Sequence, residues 1–135
     1  MKLNFTMSEL VYSKVAIKNN ISNMPDIDSL DNILELIINV LQPIRVAINK
    51  PMIITSGFRS KELNKIIGGN SNSQHLTGSA VDFIVKEVEP ENLVNFIVKM
   101  GIEFDQLINE YDSWVHISYN KKRNRKQVLH IKNSA

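Results

Sequence analysis

Residues 73–85 read Ser-Gln-His-Leu-Thr-Gly-Ser-Ala-Val-Asp-Phe-Ile-Val, and the change of character within this stretch decides the fold. Up to Gly78 it is polar and glycine-bearing, the composition of a loop. From Ser79 it is rich in β-branched and aromatic residues, as a strand is. Asp82 nevertheless stands inside the apolar run, and a buried carboxylate without a partner is costly. If Val81 and Phe83 face a core, strand alternation puts Asp82 on the other side of the sheet.

Working outward, the same strand composition recurs in MIIT (52–55), FDQLINE (104–110), WVHIS (114–118) and QVLHI (127–131). Tyr111, Asp112 and Ser113 separate two of these runs, which is hairpin length. The segment NKKRNRK (120–126) predicts a second hairpin turn, between WVHIS and QVLHI. Before Pro51 the periodicity is helical. Residues 8–18 are a helix candidate opened by Ser8, with Glu9 in its first turn. NNISNMPDID (19–28) is a turn-rich connector. A helix is expected from about Leu30 to Ala47, capped by Asp28 or Ser29. Leu30, Ile33, Leu34, Ile37, Ile38, Leu41, Ile44 and Ile48 form its apolar face. Pro43 should kink or restart it. Glu89 to Met100 predicts one further helix, entered through Pro90 and closed by Gly101. The expected architecture is α+β, with N-terminal helices packed on a small, mainly antiparallel sheet.

Length and composition narrow the function classes. The chain has 135 residues, which suits one domain over 1–135, and 43% of them are hydrophobic. It has no cysteine, so thiolate catalysis and Cys-ligated zinc are excluded, and a metal would need His, Asp or Glu. A net charge of +2 does not argue for nucleic acid or anionic membranes. The basic run Lys121, Lys122, Arg123, Arg125 and Lys126 reads first as a solvated loop tip and second as attraction to an anionic wall. Nucleic acid ranks below both, for want of interleaved aromatics. No run approaches the roughly 18–20 apolar residues of a membrane span. MKLNFTMSELVYSK has no apolar core ahead of Glu9, so accumulation in the cytoplasm is expected, and a monomer.

His116 repeats the oddity of Asp82, lying between Val115 and Ile117 in a strand. With His75 in the preceding loop, the chain offers two imidazoles and one carboxylate. That is a sufficient shell for catalytic zinc, with a fourth position left for water. Each residue alone has an ordinary explanation: strand Asp residues are commonly ion-paired, and strand His residues packed and hydrogen-bonded. Spacing by itself is only suggestive.

The pattern S-x-H-x-x-G-x-A-x-D, followed downstream by W-x-H, resembles the zinc D-Ala-D-Ala carboxypeptidase family, peptidase family M15. This family includes D-Ala-D-Ala carboxypeptidases and dipeptidases, and L-Ala-D-Glu endopeptidases of bacteria and phage endolysins. The resemblance extends through LQPIR (41–45), ITSGFRS (54–60), LN (63–64), GG (68–69) and FDQLI (104–108), over about residues 5–132. It is similar to the compact single-domain subfamily found in phages and their hosts. The resemblance implies a hedgehog/DD-peptidase-like fold and one Zn2+ held by His75, Asp82 and His116. It implies a substrate among peptidoglycan peptides, met at the cell wall after release or lysis. Arg59 matches the arginine that binds or polarises the scissile carbonyl, and Ser73 matches a substrate-binding serine. Gln106 offers a polar contact in the cleft, and Trp114 lines it or packs beside it. His130 matches no ligand position.

The chain departs from the better-known members at the general base. They place Asp or Glu three residues before the last histidine ligand, where this chain has Ser113. Serine does not act as a base near neutral pH without help. Glu110 and Asp112 are the candidates. Glu110, opposite Trp114 across the hairpin, shares a face with His116, whereas Asp112 lies in the turn and is suited to capping it. The geometry favours Glu110. The missing acid leaves a rival reading, a zinc-binding module of weak or no catalysis, because hedgehog-type signalling proteins keep the metal without needing peptidase activity. A third reading is an interaction domain without metal.

Overall fold

A computed structural model describes residues 2–132. Two short helices, α1 (Met7–Val11) and α2 (Lys14–Lys18), replace the single one expected over 8–18. The chain is extended at Tyr12 and Ser13, and the Ser13 hydroxyl accepts from the Ala16 N–H to start α2 afresh. α3 (Ile27–Leu36) begins earlier than expected, since Asp26 is its N-cap rather than Asp28 or Ser29. The Asp26 carboxylate accepts from the Ser29 N–H at 2.8 Å. A π-helical turn (Ile37–Leu41) then leads into α4 (Gln42–Ile48). Pro43 lies in the first turn of α4, where its missing N–H does least harm, and the widened turn before it absorbs the proline without breaking the rod.

After β1 (Met52–Ser56) comes α5 (Lys61–Ile67), a helix the periodicity did not reveal. Seven residues carry too few apolar positions to define a face. Its signals are the caps: Ser60 accepts from the Leu63 N–H, and Gly68 takes the left-handed conformation at its end. A short 3-10 helix (Gln74–Thr77) precedes β2 (Ala80–Val85), and α6 (Pro90–Met100) precedes β3 (Gln106–Glu110), β4 (Trp114–Ser118) and β5 (Gln127–Ile131).

The sheet order is β1-β2-β4-β3-β5. β1–β2, β2–β4 and β3–β4 are antiparallel, and β3–β5 is parallel. The fold is α+β with its helices mainly in the N-terminal part. The hairpin expected between WVHIS and QVLHI does not form. Both edges of β4 are already taken, by β2 and β3, so the chain crosses over and β5 extends the sheet beyond β3. The crossover is tied down by its own basic residues. Lys121 pairs with Asp31, Arg125 with Asp105 and Lys126 with Glu103. Much of the charge expected of a free basic tip is therefore already partnered.

One face of the sheet builds the core. Val81, Phe83, Val115, Ile117 and Leu107 pack with Ile33, Leu36, Val40, Leu41 and Ile44 of the long helical rod and with Leu93, Val94 and Ile97 of α6. At roughly 25 cal/mol per Å² of apolar surface, this burial is the main force holding the strands in register. Among the described residues no helix is long and apolar enough to cross a membrane.

Candidate metal centre

The core-facing register turns Asp82 and His116 to the opposite face, where they are direct partners across β2 and β4. His116 Nδ1 lies 3.0 Å from Asp82 Oδ1. His75 comes to the same oxygen from the 3-10 helix, its Nε2 at 3.2 Å. The two imidazoles meet edge to face with ring centroids 5.2 Å apart. All three side chains are buried, and one ligand atom from each lies within 4.8 Å of the others.

Two tight approaches of the backbone bring His75 there. Gly57 lies so close to α1 that a Cβ would sit 2.1 Å from the Leu10 carbonyl oxygen, and only glycine fits. This places the Gly57 carbonyl 2.8 Å from His75 Nδ1. Gly78, left-handed at φ +74, lies against α3, where a Cβ would meet the Ser29 carbonyl oxygen at 2.6 Å. The 3-10 turn is thereby wedged between α3 and β2.

The donor set tests whether a cation belongs here. A carbonyl only accepts, so the Gly57 contact fixes the proton on His75 Nδ1 and leaves the Nε2 lone pair facing Asp82 Oδ1. Two lone pairs at that separation call for a positive charge between them: a metal ion or, without one, a second proton on the ring, which then donates to Asp82. A histidine donating its other nitrogen to a carbonyl is the usual outer support of a metal ligand. The three residues can therefore hold one metal ion.

Around the cluster, Arg59 Nη2 stands 3.6 Å from Asp82 Oδ2. Its pose is set by Ser56, whose hydroxyl accepts from Nε at 3.1 Å, and by Asn64, whose Oδ1 accepts from Nη1 at 3.3 Å. Sequence reasoning assigned neither residue a role, although both lie in the quoted SGFRS and LN segments. Burial pushes the Asp82 carboxyl up, but hydrogen bonds from His116 and His75, together with their charges, outweigh it and hold the group well below the usual range.

Glu110 lies on the same face, opposite Trp114, with Oε1 3.7 Å from His116 Nδ1. Burial and the negative charge of Asp82 raise its pKa above the ordinary glutamate value, against the pull of His116, His75 and Arg59. Asp112 is placed differently. Tyr111 and Asp112 are both left-handed in the β3–β4 turn, and the Asp112 carboxylate accepts from Asn109 Nδ2 at 2.8 Å. Asn109 is buried and points to the face opposite Glu110, so the turn holds Asp112 away from the cluster.

Ser73 caps the 3-10 helix, its hydroxyl accepting from the His75 N–H at 3.2 Å. Gln106 reaches β5 instead of the cluster, donating through Nε2 to Gln127 Oε1 at 2.7 Å. Trp114 packs edge to face on Tyr111, and its buried Nε1–H has no hydrogen-bond partner among the described residues. His130 is exposed on β5.

A family model described as Peptidase M15 matches residues 3–118, a range that includes His75, Asp82 and His116 with Arg59 and Glu110 beside them. No curated protein matches the chain.

Proposed function

Because the chain belongs to the Peptidase M15 family, we propose that it is a zinc-dependent peptidase of peptidoglycan stem peptides. The bond it cuts is of the D-Ala-D-Ala carboxypeptidase or L-Ala-D-Glu endopeptidase type. The observation that carries this reading is the convergence of His75, Asp82 and His116 within 4.8 Å, with Glu110 and Arg59 beside them. A nitrogen–oxygen donor set suits zinc. Bonds of about 2.0–2.1 Å give a tetrahedron with edges of roughly 3.3 Å. The contacts from Asp82 Oδ1 to the two rings, 3.2 and 3.0 Å, are close to that. The family resemblance of the S-x-H-x-x-G-x-A-x-D and W-x-H motifs supports the substrate class.

When bound, the ion would acidify a water and polarise the scissile carbonyl. The remaining work falls to this chain's own side chains. Glu110, on the face of the cluster with Oε1 3.7 Å from His116 Nδ1, takes the proton from the attacking water and returns it to the leaving amine. Arg59, held flat by Ser56 and Asn64, presents a fixed donor to the oxygen on which negative charge develops. Ser73 accepts from His75, which leaves its own hydroxyl proton free for a substrate acceptor. The protein acts as a monomer, on walls it reaches after release or lysis. Glu110 takes the place of the acid absent at Ser113, and this favours the enzyme over the zinc-binding module.

Mass spectrometry of muropeptides after digestion with the zinc-loaded protein tests the reading. New stem-peptide fragments, abolished by chelation and restored by zinc, are expected. Stoichiometric zinc with intact muropeptides would leave the binding module. A purified protein without zinc would leave the interaction domain.

A further inference from the structure

Asp105 is buried, yet it is not part of the metal cluster and touches nothing that reacts. Its Oδ2 accepts from Gln74 Nε2 at 2.8 Å and from Arg125 Nη2 at 2.8 Å. Its Oδ1 accepts from the Arg125 backbone N–H and from Nε, each at 3.0 Å. Its own N–H donates to the Ser118 carbonyl at 2.8 Å, and its carbonyl accepts from the Gln127 N–H at 3.0 Å. The bonds to Ser118 and Gln127 fasten Asp105 to the end of β4, two residues past His116, and to the start of β5. The Gln74 bond fastens it to the residue immediately before His75. Asp105 thus links the two elements that deliver the imidazoles, through its carboxylate to the His75 turn and through its backbone N–H to β4.

Gln74 gives up something for this contact. Its Oε1 is buried with no hydrogen-bond partner among the described residues. A carboxylate accepts only, so the amide must present its nitrogen to Asp105, and the oxygen is left where nothing donates to it. An orphaned acceptor persists when the bond at the other end of the amide decides the orientation. Asn32 Nδ2, donating to the Thr77 carbonyl at 2.9 Å, ties the far end of the same turn to α3. Gln74 is its tie to the sheet.

We infer that Gln74, anchored by Asp105, is a positioning residue that sets the His75 turn against β4 and so tunes the affinity of the metal centre. The inference rests on the reading of His75, Asp82 and His116 as zinc ligands. Groups that hydrogen-bond directly to a metal ligand contribute about 10- to 100-fold in metal affinity, and a support one residue removed belongs at the lower end of that range.

Gln74→Met tests it better than a change at Asp105, whose loss would also free Arg125. Methionine keeps a similar length and relieves the orphaned oxygen, so the metal-free protein should unfold at nearly the parental temperature. Zinc affinity, measured by competition with a chromophoric chelator, should fall about 10-fold. The visible spectrum of the cobalt-substituted protein should change as the ligand geometry relaxes. Ile97→Val, in α6 on the core side, is the control for stability alone. It should lower the unfolding temperature and leave affinity and spectrum as they are. Parental affinity and spectrum in Gln74→Met overturn the inference. So does a loss of affinity that Ile97→Val reproduces. If the parent takes up no zinc, the metal reading fails, and this inference with it. Parental zinc binding with an indifferent Gln74→Met sinks the inference alone.

Discussion

The two faces of β2 and β4 are made by alternate residues of the same two strands, and both are nearly dry. On the core side Val81, Phe83, Val115 and Ile117 are each 0% exposed, and on the other Asp82 and His116 are 6% and 8% exposed. The faces differ in what replaces water. The apolar one gains packing without direction, whereas the polar one must satisfy every group with a specific partner. The first makes the second possible. A slip of one residue would bury Asp82 and His116 in the core and turn Val81 and Ile117 outward, so hydrophobic burial fixes the register that aligns the ligands. Low exposure then strengthens each charge interaction at the polar face.

Substitutions on the two faces should separate function from stability. Glu110→Gln is expected to lower peptidoglycan turnover by ~10²–10⁴-fold, with zinc content and unfolding temperature close to the parent. Parental turnover would remove Glu110 as the base. Phe83→Ala should do the reverse, costing about 3–5 kcal/mol in urea unfolding through the cavity it leaves. The fraction still folded should bind zinc. If Phe83→Ala abolished zinc binding in folded protein, the faces would not be separable.

Asp105, which joins the His75 turn to the end of β4, links stability to pH. Hydrogen bonds from Arg125, opposed by burial and helped by Gln74, lower its pKa from 3.8 to about 2. A depressed carboxylate stabilises the fold fully above its unfolded value, and that contribution disappears as pH falls through the folded value. Urea midpoints should therefore drop between pH 3.8 and about 2, and Asp105→Asn should flatten that part of the profile. Asp112→Asn is the smallest change expected. The amide can still meet Asn109 in the turn, and turnover should stay within a few-fold of the parent, roughly the scale of a surface substitution. A loss as large as that of Glu110→Gln would transfer the base to Asp112.

Much of this was legible before any coordinates. The helical rod showed in its apolar spacing from about Leu30 to Ala47, though not its earlier start at Ile27, and Asp82 and His116 were conspicuous as polar residues inside apolar strands. Glu110 followed from hairpin geometry, because partners across a short turn share a face. What escaped had no local signature. α5 is too short to show a period, and its Ser60 and Gly68 caps resemble any loop residues. Asn64, Ser56 and Gln74 are polar residues in polar segments, distinguished only by what they touch. Gln106 matched a family position, yet its amide is drawn to Gln127, a residue of a strand whose location was unknown.

The order of residues along the chain was enough to set alternation, caps and the chemistry on offer: two imidazoles, one carboxylate between apolar neighbours, an acid at the hairpin. These depend on near neighbours and on the two-residue repeat of a strand, which are written into the chain itself. Only the tertiary structure decided that β5 lies parallel to β3, that the Gly57 carbonyl fixes the tautomer of His75, and that Asp105 joins the turn to the sheet. Each of those depends on which edges and surfaces remain free once everything else has packed, a competition among distant parts that no local pattern encodes.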